Sequence, residues 1–281
     1  MREDWTLTRT FASEQGSIRW DVLGAGPPVV LVHGTPFSSY VWRDVARALS
    51  HRFTVYVWDL AGYGQSEQGA DQDVSLAAQG RVFAALLDHW GLAEPSVVGH
   101  DFGGTVALRT LLLEQRRYAR LVLADAVALA PWGTGFFRLA SEHAAVLIQL
   151  PDPLHESLVR GYVSWPMRRR PPPEVVDRLA APWLGAAGKA ALYRQIVQNN
   201  QRFTDELEPH YRDITVPTLV LWGEQDQWVP VAQGRQLAGL IPGARFRTIA
   251  GADHLVQHDA PAAVAVEIAA FLTHALPEAG P

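Results

Sequence analysis

The 281 residues carry 24 lysines and arginines against 29 aspartates and glutamates, a formal net charge of -5, and no cysteine. That balance offers no basic footprint for nucleic acid or an anionic membrane surface, and the lack of cysteine excludes disulfides, thiolate nucleophiles and cysteine metal sites. A chain of this length can bury one large α/β core with an inserted segment, and a small-molecule partner suits it best.

The start, Met1-Arg2-Glu3-Asp4-Trp5, is polar where a secretory signal would be apolar. No run reaches the length of a membrane span, so the expected location is cytoplasmic. Residues 7–12 and 17–22 read as two antiparallel opening strands, and Gly24-Ala25-Gly26 closes the second as a turn, too short a pattern for nucleotide binding. Pro28 to Val32 is an unbroken apolar run, as in a parallel strand covered on both faces, and it ends in His33-Gly34-Thr35-Pro36. Trp42 to Leu49 reads as a helix, Thr54 to Trp58 as the next strand, and residues 75–90 as a helix capped by Ser75, with Val82, Phe83, Leu86, Leu87 and Trp90 at helical spacing.

Then comes Val97-Val98-Gly99-His100-Asp101-Phe102-Gly103-Gly104-Thr105, a buried strand driven through a glycine-framed turn into a helix. Asp101 stands at its apex, in the place that a nucleophile elbow gives to serine. An aspartate before a helix is also a common N-cap, and both readings stand at this point. After a helix from Val106 and a strand at Leu121 to Leu123, which ends at Asp125, residues 127–202 change character. They hold prolines 131, 151, 153, 166, 171–173 and 182 among short helical stretches and show no strand pattern. We read an inserted helical cap over 127–205, between core segments 1–126 and 206–281. Arg168-Arg169-Arg170 within it reads as a solvated helix end. The sheet resumes at Thr218 to Trp222, which ends in Gly223-Glu224-Gln225-Asp226, and at Arg245 to Ile249, which leads to Asp253-His254. A helix over 262–272 closes the chain. Apolar strands alternating with helices imply a mostly parallel sheet of eight strands with helices on both faces.

Asp101, Asp226 and His254 thus lie at strand ends in the order nucleophile, acid, histidine, and residues distant in sequence converge beyond the carboxyl ends of such strands. With His33-Gly34-Thr35-Pro36, these motifs make the chain resemble the α/β-hydrolase superfamily, and within it the aspartate-nucleophile branch of haloalkane and haloacid dehalogenases and epoxide hydrolases. The resemblance covers the whole sheet domain, while the cap matches in size and helical character. It implies an ester formed on Asp101 and then cleaved by water that His254 activates, with the backbone N-H groups of Thr35 and Phe102 as oxyanion hole. Asp226 is the expected triad acid. Asp125, 24 residues beyond Asp101, is the alternative, because some dehalogenases of this branch carry their acid at that strand end.

Several residues depart from the dehalogenase pattern. Haloalkane dehalogenases resemble the stretch from Ser38 to Arg43, but set a tryptophan after the nucleophile and often an asparagine after the His-Gly pair, where this chain has Phe102 and Thr35. Phe102 and Thr105 also replace the arginines with which fluoroacetate-type dehalogenases grip a carboxylate. Epoxide hydrolases use cap tyrosines to protonate the opening oxygen, for which Tyr193 and Tyr162 are candidates; both could instead be aromatic packing. Trp165 and Trp183, with Trp132, Phe136 and Phe137 of the cap and His100 of the elbow, are expected to shape a pocket for an apolar or aromatic substrate, or else the cap's own core. No metal spacing or phosphate loop is present, so no metal or cofactor is expected. The expected function is therefore a cofactor-free epoxide hydrolase; the alternatives are a dehalogenase with an atypical halide site, and a non-catalytic binding relative, since fold does not fix function.

Overall fold

The computed structural model describes residues 5–273. Eight strands form one sheet in the order β1-β2-β4-β3-β5-β6-β7-β8. They are β1 (Arg9–Ser13), β2 (Gly16–Leu23), β3 (Pro28–Val32), β4 (Thr54–Trp58), β5 (Ser96–His100), β6 (Arg120–Ala124), β7 (Thr218–Gly223) and β8 (Arg245–Ile249). β1 and β2 pair antiparallel, as does β2 with β4, and every later pairing is parallel. The unbroken apolar runs are the central strands. Val29 to Val32, Val97 and Val98, and Leu121 to Ala124 are wholly buried, as strands roofed on both faces must be. At the edge, Arg245, Arg247 and Thr248 of β8 are exposed.

The core helices are α1 (Arg43–Leu49), α2 (Leu76–His89), α3 (Phe102–Leu112), then α9 (Val231–Leu240), α10 (Val256–Asp259) and α11 (Pro261–Thr273), with α4 (Gly135–Leu147), α5 (Asp152–Ser164), α6 (Pro173–Ala180), α7 (Gly185–Val197) and α8 (Arg202–Asp205) between β6 and β7. Ser75 caps α2, its hydroxyl accepting from Ala78 N. The helix expected from Trp42 begins as a 3-10 turn over Ser39–Trp42. α3 starts four residues earlier than its apolar pattern suggests, because the glycines that mask the pattern belong to its first turn.

The α4–α8 segment reaches the strand-end loops through specific bonds. Trp183 Nε1 donates to Pro36 O at 2.6 Å, and Thr35 Oγ1 donates to Gln195 Oε1 of α7 at 2.9 Å. The backbone N-H groups of Arg168 and Arg169 donate to the Asp259 carboxylate, which ties this run to the end of α10, just before α11. No helix among the described residues is long and apolar enough to cross a membrane.

Candidate active site

The turn from β5 into α3 puts its strain on the apex itself. Asp101 has φ 53° and ψ -123°, and its side chain makes no capping bond to α3, so the N-cap reading fails. A left-handed conformation costs a non-glycine residue of order 1–3 kcal/mol and persists only where surroundings enforce it. Gly99 and Gly103 do not carry that φ; they allow close approach. A Cβ on Gly99 would lie 2.7 Å from Gly103 C, and one on Gly103 would lie 2.7 Å from Val32 C. With no side chain on either, helix and strand close up and the Asp101 carboxylate is lifted off the sheet.

One carboxylate oxygen, Oδ1, accepts from Thr35 N at 2.7 Å. The other, Oδ2, lies 3.3 Å from His254 Nε2, which has no aligned hydrogen bond. On the far side of the ring, His254 Nδ1 and Asp226 Oδ2 are 2.9 Å apart. Asp226 Oδ1 accepts from Trp228 N and Val229 N, each at 2.8 Å, so Asp226 is fixed by the loop that carries it. His254 is held through its backbone too: His100 Nε2 donates to His254 O at 2.8 Å. Burial disfavours charge on His254, but Asp226 and Asp101 outweigh it and hold the imidazole well above its usual range.

Asp125, the other candidate acid, is buried at the end of β6 with φ 44°. Its Oδ1 accepts from Gly223 N at 2.7 Å, while its Oδ2 has no aligned partner and lies beside Asp226. Burial, then the charge of Asp226, push its carboxyl well above the ordinary carboxylate range. Asp125, Asp226 and His254 bring one ligand atom each within 4.8 Å of one another. Asp226 Oδ2 and His254 Nδ1 are engaged with each other and Asp125 Oδ1 with Gly223 N, the pattern of a hydrogen-bonded chain rather than an open donor set.

The carboxylate faces a narrow cleft lined by Thr35, Phe102, Val127, Trp132, Phe137, Tyr162, Trp228 and Val229 among others. Phe102, Trp132 and Phe137 meet edge to face, with centroids 5.4 to 6.0 Å apart. No lysine or arginine lines it.

Residues 27–261 match the alpha/beta hydrolase fold family. The chain belongs to that family. A crystal structure of an alpha/beta hydrolase fold protein from Burkholderia ambifaria is similar to this hydrolase at 43% identity and TM-score 0.90, covering 93% of this chain and 97% of that one. Haloalkane dehalogenase 2 of Mycobacterium tuberculosis is 27% identical over 273 residues, 93% of each chain. A thermophilic esterase from Thermogutta terrifontis is 25% identical with a TM-score of 0.76, over 94% of this chain and 98% of that one.

Of the aromatic residues expected at the pocket, Tyr162, Trp132 and Phe137 line the cavity of this hydrolase. Trp183 does not, since its indole is tied to Pro36 O and fully buried. Tyr193 turns its hydroxyl toward His155 Nδ1, 3.4 Å away in the α5–α7 packing. Trp165 is 45% exposed at the end of α5, meeting Trp228 edge-on. His100 lies beneath His254 as a neutral ring, burial and the nearby imidazole lowering its pKa to about 4. Three residues were missed by sequence reasoning. Trp228 stacks on His254, Tyr63 donates to Gln195 Oε1 at 2.7 Å, and Gln195 thereby joins α7 to Thr35. Only Trp228, two residues beyond Asp226, carried a signal of position.

Proposed function

We propose that this α/β hydrolase displaces a leaving group from saturated carbon through an ester on Asp101, without a cofactor, and that epoxide opening is its reaction. The carrying observation is the disposition of the Asp101 oxygens: Oδ1 rests on Thr35 N, while Oδ2 makes no comparable bond and faces His254. Oδ2 attacks, and the bond from carbon to the leaving atom breaks with its electron pair. Oδ1 becomes the ester carbonyl. Water then adds to that carbonyl as His254 Nε2 takes its proton, Thr35 N and Phe102 N steady the oxyanion, and Asp226 keeps the imidazole in the required tautomer. The ester collapses to alcohol and free Asp101, one water oxygen remaining on the carboxylate.

The Tyr162 hydroxyl favours the epoxide reading. It lies on the cavity wall, forms no hydrogen bond to a described residue, and burial keeps its proton on, so it can hand that proton to an opening oxygen. Tyr193 has no such part, being turned to His155. An apolar wall without a cation suits a small uncharged substrate and argues against a carboxylate. Displacement of halide from a haloalkane is the second reading, favoured by the 27% identity to a haloalkane dehalogenase over nearly the whole chain. In both, residues 127–205 act as a cap that seals the cavity over the core.

The test is one turnover in heavy-oxygen water, together with the His254→Gln variant. The reading expects label in Asp101 and an accumulating mass adduct on that residue. Product formed with no label in Asp101 refutes it.

A further inference from the structure

Gln195 is buried on α7, and its side-chain oxygen accepts two hydroxyls from the core, that of Tyr63 at 2.7 Å and that of Thr35 at 2.9 Å. Thr35 is also the residue whose N-H meets Asp101 Oδ1 at 2.7 Å. The turn around it is held unevenly. From the core, Phe37 N donates to Gly34 O at 2.9 Å and His33 Nδ1 lies 3.0 Å from the same oxygen, so both bonds fall on the residue before Thr35. From the α4–α8 segment, Gln195 takes the Thr35 hydroxyl and Trp183 Nε1 donates to Pro36 O at 2.6 Å. Tyr63 meets Trp183 edge-on, with centroids 5.4 Å apart at 86°, which makes the two ties one buried cluster.

The same helix has other anchors. Val74 N donates to Gln198 Oε1 at 2.7 Å and Leu76 N donates to Asn199 Oδ1 at 2.8 Å. Residues 195, 198 and 199 share one face of α7 by their spacing, and all three meet the core. Of the three, Gln195 alone bonds the residue that holds Asp101 Oδ1. Charge on that oxygen changes in opposite senses in the two proposed steps. Alkylation draws it away as Oδ1 becomes the ester carbonyl, and water addition builds it up again. A donor fixed at Thr35 N therefore favours the second transition state over the ester that precedes it.

Resting on the Asp101-ester reading, we propose that Gln195 is a positioning residue for ester cleavage. By holding the Thr35 hydroxyl it sets the Thr35 N-H against the oxyanion, so this step requires α7 to be seated on the core. The bond makes the second half of the reaction conditional on closure of the segment over the site, in the way that a lid completes a catalytic constellation. A substrate that displaces α7 on entry is attacked by Asp101 all the same, but its ester is cleaved at full rate only once Gln195 is back on Thr35.

The experiment uses 1-bromobutane and 1,2-epoxybutane as probes and follows formation and decay of the mass adduct on Asp101 by rapid quench. Thr35→Val removes the hydroxyl, keeps the N-H and leaves Gln195 Oε1 paired with Tyr63; Gln195→Met removes the acceptor. In either variant ester decay is expected to slow by about 10-fold, a part of the roughly 10²- to 10³-fold that outright loss of an oxyanion donor costs, while adduct formation changes by less than about threefold. The double variant should be no slower than the slower single one, since both changes break the same bond, and Thr35→Ser, which restores a hydroxyl, should recover most of the loss seen in Thr35→Val. Gln198→Ala removes a tie of the same helix away from Thr35 and should leave ester decay unchanged. Unslowed decay, equal slowing of both steps, losses that multiply in the double variant, or the same slowing in Gln198→Ala each overturns the proposal. Should Gln195→Met fail to fold, the contrast of Thr35→Val with Thr35→Ser decides alone. No adduct in His254→Gln refutes the Asp101-ester reading instead, and this proposal with it.

Discussion

Replacing each of the two buried carboxyls by its amide separates their roles. In Asp226→Asn, one side-chain atom must still accept from Trp228 N and Val229 N, as Oδ1 does now at 2.8 Å from each. The amide oxygen takes that place, since turning the NH2 toward two N-H donors would set donors against donors. The NH2 then faces His254 Nδ1, at the position where Oδ2 now sits 2.9 Å away. His254 must present a lone pair to it and carry its proton on Nε2, so it cannot take a proton from water. In the serine-protease template a wrong tautomer of this kind costs about 10⁴-fold, and a similar loss is expected here in the cleavage of the Asp101 ester. Asp125→Asn is different. The amide oxygen still accepts from Gly223 N, as Oδ1 does at 2.7 Å, and the NH2 faces Asp226 as the protonated carboxyl does, so the expected change is under about fivefold, within the range of a neutral hydrogen bond exchanged for a similar one. Rapid quench and mass measurement of the alkylated protein give the decay rate directly. Fast ester decay in Asp226→Asn with loss in Asp125→Asn would refute the assignment and make Asp125 the partner of His254.

The same pair makes stability depend on pH. Asp125 keeps its proton in the fold while the unfolded chain loses it above about pH 4. The native state then binds more protons, so this group's contribution falls as pH rises, by about 1.4 kcal/mol per unit up to its raised native pKa. Relative to wild type, Asp125→Asn should therefore gain stability steadily from pH 5 upward in denaturant titrations, and a pH-independent difference would show Asp125 to be ionised. In Tyr162→Phe, epoxide opening should fall by about 10²-fold or more, the range of a general acid, while bromoalkane alkylation changes little; equal loss on both probes would make Tyr162 a packing residue. Gly34→Ala would set a Cβ 2.7 Å from Asp101 Cγ, so adduct formation should fall by at least about 100-fold while the circular dichroism spectrum is kept, and an unchanged rate would show that the carboxylate need not sit where Thr35 N holds it.

The sheet was legible because each central strand is a short apolar run closed by a glycine or aspartate turn, a pattern that burial on both faces requires. Asp101, Asp226 and His254 could be placed together for the same reason, since each follows a strand in one parallel sheet. The cavity wall was not legible in that way. Which cap aromatic faces Asp101 depends on how α4, α5 and α7 rotate against one another, and Trp183 and Tyr193 differ from Tyr162 only in that packing. Trp228 owes its position to Asp226 drawing two successive N-H groups around itself. Gln195 meets Tyr63 across 132 residues of chain, a pairing that no local periodicity encodes.

The electrostatics also order the two proposed steps. In the free protein, burial would leave His254 neutral, but carboxylates beyond both ring nitrogens, 2.9 Å away at Nδ1 and 3.3 Å at Nε2, hold a proton on it. A protonated imidazole cannot take a proton from water, so the resting site holds no base at Nε2. Alkylation turns Asp101 into a neutral ester and removes the negative charge facing that nitrogen. Desolvation then acts against one carboxylate instead of two, the imidazole pKa falls, and the lone pair on Nε2 appears beside the ester carbonyl that water must attack. In the proposed mechanism the nucleophile, by being consumed, creates the base that regenerates it.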